Sequence, residues 1–328
     1  MRLKLKTSLQ QNKTLLILSL VCLLLGTISI LLGDLVIPAI VAVLALIFIF
    51  DLPGRQFSIG VSIALIILNI LAFIFELAVS LFAPEAIILA FVLSLSFCRR
   101  TKKSETVLVM CLTAVAFTAL TFIIIPFALG EASSFVDVRT YYNELIESIR
   151  TLFVSNTMEL YSSMSDSMGV EVTEAMVESV FNAQISLVIS YVTIAGFALV
   201  GVSMKLFEFL FIKIAEEKSP AIYWRFHTSN VFAYFYVALI LISIFVGSSG
   251  GVFGIAIGNL YNIFMVVYAY VGLNALLAIL TMKFRPLTSV IILILALVVA
   301  LSLTLHVSAA FGVLFTIRKN RELTIKEE

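Results

Sequence analysis

The stretch SIALIILNILAFIFELAVS sets Ser62, Asn69, Glu76 and Ser80 at spacings of 7, 7 and 4 residues. On a helix these four fall within about 40° of one another. A carboxylate inside an apolar run is expensive to keep, so Glu76 reads as an ion partner, a proton relay or a solute contact. A second polar stripe lies in NLYNIFMVVYAYVGLN, residues 259–274, which carries three asparagines and three tyrosines. Asn259, Asn262, Tyr270 and Asn274 share about a 120° arc of one helix. Upstream, Gly250, Gly254 and Gly258 form a ridge at four-residue spacing, where another backbone could approach closely. The amides are therefore expected to face protein or a cavity between helices rather than lipid. Ser186, Ser190 and Thr193 make a third stripe, and His306 is a further candidate.

Glu76, Asn69, Asn259, Asn262, Tyr270 and Asn274 together define a candidate solute-binding set, expected to point into one interior volume. The plainer reading is that asparagine and serine act as hydrogen-bonding glue between helices, worth only about 0.6 kcal/mol on average. No motif for a defined reaction accompanies them. H-E-x-x-H, G-x-S-x-G, a Walker A sequence and G-x-G-x-x-G after a strand are all missing, which argues against an enzyme. Cys22, Cys98 and Cys111 lie in or beside apolar runs, an odd count without the paired spacing of a disulfide framework or zinc site. No catalytic residue, metal site, cofactor or nucleic-acid partner is expected.

What must position these residues is a set of membrane helices. Hydrophobic residues make up 62% of the 328 and charged residues 12%, against about 25% charged in a soluble domain. The fold class expected is all-α, a polytopic transmembrane helical bundle with about 9–10 spans. Apolar runs occupy roughly 14–32, 35–50, 57–82, 84–98, 106–128, 184–212, 230–247, 252–281 and 287–317. The basic start MRLKLKTSLQQNK precedes a retained span rather than a cleaved leader. The last run is long for one span: it either protrudes, giving nine spans, or turns near Thr304–His306 and returns, giving ten with a cytoplasmic C-terminus.

Lysine and arginine bias sets the orientation. The clusters at 2–13, 99–103 and 283–285 belong on one side, making the N-terminus cytoplasmic. The 129–183 connection holds nine acidic residues and only Arg139 and Arg150 as bases, which places it outside. There Tyr142, Leu145, Ile149, Leu152 and Phe153 share a face at helical spacing, as do Met176, Val180 and Phe181, with Gly169 between the two groups. Two amphipathic helices are expected, acting as a lid, lying on the outer leaflet, or capping exposed span ends. In AIYWRFH, Trp224, Tyr223 and Arg225 suit the headgroup level. The chain thus divides into an N-terminal bundle of about five spans (1–128), an extracytoplasmic acidic helical segment (129–183), a C-terminal bundle of four to five spans (184–318) and a cytoplasmic tail (319–328).

The layout resembles the YybS-like family of bacterial multi-pass membrane proteins. The resemblance is carried by the tight first hairpin, LSLSFCRRTKKSETVLVMCLTAVAF with its basic turn, and the acidic helical segment before QISLVISYVTIAGFALVGVSMKLFEFLFIK. SPAIYWRFHTSN and a last apolar run ending in FTIRKNRE complete it. That family is similar to the substrate-binding membrane components of energy-coupling-factor transporters. The resemblance implies a small-molecule-binding bundle that docks a separate energising module, and it carries over no catalytic residues. The expectation is a multi-pass protein of the bacterial cell membrane that binds or transports a small solute. The alternative is a non-transporting scaffold or envelope assembly factor that presents its acidic outer helices to a partner.

Overall fold

The computed structural model describes residues 8–51, 56–75, 82–99, 101, 103–168, 172–215, 229–246 and 251–327. Among the described residues the chain is all helix with no strand. Six helices are long and apolar enough to cross a membrane, and three shorter apolar ones accompany them. The protein is a polytopic helical bundle whose composition suits a lipid bilayer. It divides into two compact units, Met1–Ser186 with Ala195–Trp224, and Leu187–Ile194 with Arg225–Glu328. The first unit takes in the expected N-terminal bundle, the acidic segment and most of the helix that follows it.

Unit 1 begins with α1 (Ser8–Leu32), a 3-10 turn (Gly33–Val36) and α2 (Ile37–Phe50). The 14 residues of α2 reach only about 21 Å at 1.5 Å per residue. From Ile40 to Ile47 its side chains are completely or almost completely buried. A helix apolar all round and buried all round is a core element, packed here against α1, α3 (Gln56–Ile74) and α4 (Phe82–Arg99). The second apolar run is thus the unit's core. α5 (Lys103–Ala128) follows, closed by Gly130 at φ +75°, a left-handed conformation that favours glycine.

The acidic segment forms α6 (Phe135–Met168) and α7 (Glu174–Ser186). A capping box starts α6. The Asp137 N–H donates to Ser134 Oγ at 3.3 Å, while the Asp137 carboxylate accepts from the Ser134 N–H at 2.9 Å. It also accepts the Ser133 hydroxyl and N–H. These bonds hold the Asp137 carboxyl below its ordinary value, since they favour its charged form. α7 packs on α6 through Phe153 and Phe181, ring centroids 5.6 Å apart, and Arg150 with Glu178 at 3.9 Å. α8 (Val188–Ala215) begins after a one-residue break at Leu187.

Unit 2 holds the first turns of α8, then α9 (Asn230–Val246), α10 (Val252–Lys283), α11 (Pro286–Val299) and α12 (Leu301–Glu327). Its core is Ala233, Tyr236, Tyr268, Ala269, Ala309 and Val313, with the Tyr236 and Tyr268 rings stacked 5.2 Å apart. The last apolar run breaks at Ala300 (φ −144°, ψ 59°), not at Thr304–His306, which lie inside α12. Thr304 Oγ1 reaches back to the Ala296 carbonyl at 2.9 Å, so its polarity braces the break from within the next helix. The residues of the expected tail continue α12 to Glu327.

α10 and α12 make the most extensive helix pair of this unit. Tyr261 meets His306 at 6.3 Å between ring centroids, and further along both helices Gly272 meets Gly312. Residue numbers rise together, so the two helices run in the same direction and α11 carries the chain back between them. A Cβ on Gly272 would lie 1.8 Å from the Ser308 carbonyl oxygen, and one on Gly312 would lie 2.0 Å from that of Tyr268. Backbone touches backbone here, the close approach that glycine allows in membrane helix pairs. Of the ridge expected at Gly250, Gly254 and Gly258, Gly258 does not play this role: among the described residues a Cβ there would meet the Leu187 side chain at 3.6 Å, and Gly250 lies outside the described residues. Gly272→Ala should therefore push α10 and α12 apart and destabilise the protein by about 1–3 kcal/mol or more, whereas Gly258→Ala should be nearly neutral. Thermal unfolding of the reconstituted variants checks this; equal stability would contradict the crossing.

Candidate functional site

A helix that begins where water is absent leaves its first N–H groups without intrahelical acceptors. Two of the asparagines singled out in the sequence supply such acceptors from another helix. In unit 1 Asn69 projects from α3, is 5% exposed, and accepts the N–H of fully buried Ala83 in the first turn of α4 through a long 3.4 Å bond. In unit 2 Asn259 of α10, 6% exposed, accepts the N–H of fully buried Ser190 at 2.8 Å. The Leu187 break deprives that amide of a helical partner. The Asn259 amide nitrogen donates to the Ile255 carbonyl at 2.9 Å, so both ends of the amide are used. Asp51 does the same for α3: its buried carboxylate accepts the Ser58 N–H at 2.7 Å.

The other candidates differ. Asn262 and Tyr270 are half-buried in α10. Asn274 is exposed, and its amide donates to the Tyr270 carbonyl of its own helix at 2.7 Å. A residue that bonds its own backbone needs no neighbouring helix. Asn69 belongs to unit 1 and Asn259, Asn262, Tyr270 and Asn274 to unit 2. Glu76, Ser80 and the AIYWRFH segment lie outside the described residues. His306 is exposed on α12, its Nδ1 2.7 Å from the Ser302 carbonyl oxygen.

Asn69 also lines a groove of about 410 Å³, with Ile66, Ile70, Phe73 and Ile74 of α3, Pro84 of α4 and Ile124 of α5. The groove is open on one side, where Ile70 and Ile74 are 53% and 68% exposed. Its volume falls in the range of small-molecule sites, about 300–1,000 Å³. Its chemistry is an apolar wall with a single amide.

A further charged site was not read from the sequence. Lys103, the first residue of α5, pairs with Glu208 of α8, at 7% and 9% exposure. Lys205 Nζ lies 3.6 Å from the other Glu208 oxygen. The rings of Phe97, Phe207 and Phe211 pack together here, and Phe50 stacks on Phe211. The signal in the sequence was an acidic residue within KLFEFLF, the one carboxylate of an otherwise apolar run.

Asn259→Leu should strand the Ser190 N–H and cost about 1–3 kcal/mol, the desolvation cost of an unsatisfied buried donor. Asn259→Asp keeps the acceptor beside the positive end of α8 but loses the donor to the Ile255 carbonyl and buries a charge, so it should recover only part of that loss, and Asn274→Leu should change little. Thermal unfolding separates the three; a loss in Asn274→Leu equal to that in Asn259→Leu would contradict these roles. Glu208→Gln leaves Lys103 without its buried counter-charge and should cost about 3–5 kcal/mol. The double variant Lys103→Met with Glu208→Leu should recover most of that loss, and no recovery would show that the pair is not a self-contained unit.

No protein-family model, curated protein or solved structure matches this chain, and its function is argued from its own geometry.

Proposed function

We propose that the protein is a multi-pass protein of the bacterial cell membrane that binds a small, mainly apolar or amphiphilic solute in the groove between α3, α4 and α5. The single observation that carries this reading is the groove: a largely apolar, open hollow of about 410 Å³ with the Asn69 amide in its wall among the described residues. A solute that reaches such an opening is one that partitions into lipid, and the amide orients its polar end. Among the described residues the wall is apolar apart from the Asn69 amide, a chemistry suited to holding such a solute. Handing the solute across the membrane, with or without a separate energising module, is an extension of the same reading. In that extension the N-terminus is cytoplasmic, as the lysine and arginine bias favours. Glu76 follows Ile74, which lines the groove, by two residues in sequence, and Glu76→Gln tests its ionisation separately from the groove itself.

The alternative of a non-transporting assembly factor is favoured by a different observation: Glu144, Glu147 and Glu159 are exposed on α6, an acidic surface suited to a basic partner.

Mass spectrometry of molecules retained by the purified protein tests the groove. Ile70→Trp fills it, and a specific small molecule carried by the wild type should be lost from this variant and kept by Asn274→Leu. The same retained molecules in the wild type and in folded Ile70→Trp would overturn the proposal.

A further inference from the structure

The acidic helices contain an apolar surface that the solute reading leaves unused. Leu145, Ile149, Leu152 and Leu160 of α6 lie within about an 80° arc, and they are 39%, 46%, 61% and 59% exposed. α7 does not cover them. It sits on the flank of α6, where Phe153 meets Phe181 and Arg150 meets Glu178. Glu144 and Glu147 lie more than about 120° from Ile149, whereas exposed Asn156 falls within the row and Glu159 at its edge.

The start of α6 shows where that row leads. Phe135 packs against Phe127 of α5 with ring centroids 5.9 Å apart. Two turns later the Tyr142 hydroxyl donates to the Phe122 carbonyl at 2.6 Å, and the two rings are 5.9 Å apart. As α6 advances from Phe135 to Tyr142, its partner on α5 recedes from Phe127 to Phe122. After the turn at Gly130, α6 therefore folds back along α5 instead of rising away from it. Phe122 lies six residues inside the candidate span Glu105–Ala128, about 9 Å along the helix at 1.5 Å per residue. Tyr142 and Val138 share the face of Leu145 and Ile149, so the stripe that rests on α5 continues directly into the uncovered row.

We infer that α6 lies in the membrane leaflet at the C-terminal end of α5, with Leu145, Ile149, Leu152 and Leu160 in the lipid, Glu144 and Glu147 toward water, and Asn156 and Glu159 at the headgroup boundary. The row continues the exposed apolar surface of α5 at Phe122, Ile123 and Phe127, which are 47%, 40% and 37% exposed. Lipid is thus the occupant on both sides of the junction. This inference stands independently of the solute groove.

Tryptophan reporters in the full-length protein, reconstituted at one copy per lipid nanodisc, test it. Trp224→Phe removes the chain's one tryptophan, and Ile149→Trp, Leu152→Trp and Glu147→Trp are then compared singly. The first two should emit at shorter wavelength, resist iodide, and be quenched several-fold more than the third by phospholipids brominated near the top of their acyl chains. Glu147→Trp should be quenched by iodide. Iodide quenching at 149 and 152 equal to that at 147 would show that the row faces water and overturn the inference. Shielding at both positions from iodide and brominated lipid alike would overturn it too, by showing that protein covers the row. Two independent reporter positions keep the test decisive if one variant fails to fold.

Discussion

Hydrocarbon cannot hydrogen-bond the first amides of a helix, and this constraint organises the polar residues of this protein. Several helix starts answer it in one of a few ways. α6, α7 and α9 use hydroxyls immediately before them, those of Ser134, Thr173 and Ser229. α2 and α11 place a proline in the first turn, which removes an orphan donor altogether. α3, α4 and α8 receive an acceptor from elsewhere in the chain: Asp51, Asn69 and Asn259. In the last three the side chain also ties one element to the next, so satisfying the amide and packing the bundle are the same act.

This use of polar side chains bears on where a ligand can bind. An asparagine whose oxygen and nitrogen are both engaged, as at Asn259, has little left to offer a solute. Asn69 stands in the wall of a groove as well as at the start of α4. The Lys103–Glu208 pair is likewise buried and mutually satisfied, with Lys205 beside it. The hollow that remains is mostly apolar, and the function proposed follows from that chemistry.

Much of the architecture was legible because hydropathy and helical spacing are local. The apolar runs, the two amphipathic helices and the polar stripes all follow from residues near one another in sequence. The central place of α2 could be suspected from its shortness, but its burial depends on helices that follow it. The break at Ala300 carries no glycine or proline signal, and the polar Thr304 and His306 drew attention a few residues downstream. Gly272 and Gly312 are isolated glycines 40 positions apart, and only the parallel run of α10 and α12 makes them a crossing. The regular glycines at Gly250–Gly258 looked like the closer approach because periodicity is visible and pairing is not. Asn259 was recognised as out of place in an apolar helix. Its role was not recognised, because the amide it serves lies 69 residues earlier. Lys103 was counted as a charge that sets topology, since its partner is 105 residues away.

Amide hydrogen exchange at Ser190 and Ala83 in the reconstituted protein, read residue by residue, tests the central claim most directly. Both amides should exchange slowly in the wild type. Asn259→Leu should release protection at Ser190 and leave Ala83 slow, while Asn69→Leu should do the reverse. Unchanged protection of Ser190 in folded Asn259→Leu would contradict the account, because that amide would then have an acceptor other than the asparagine.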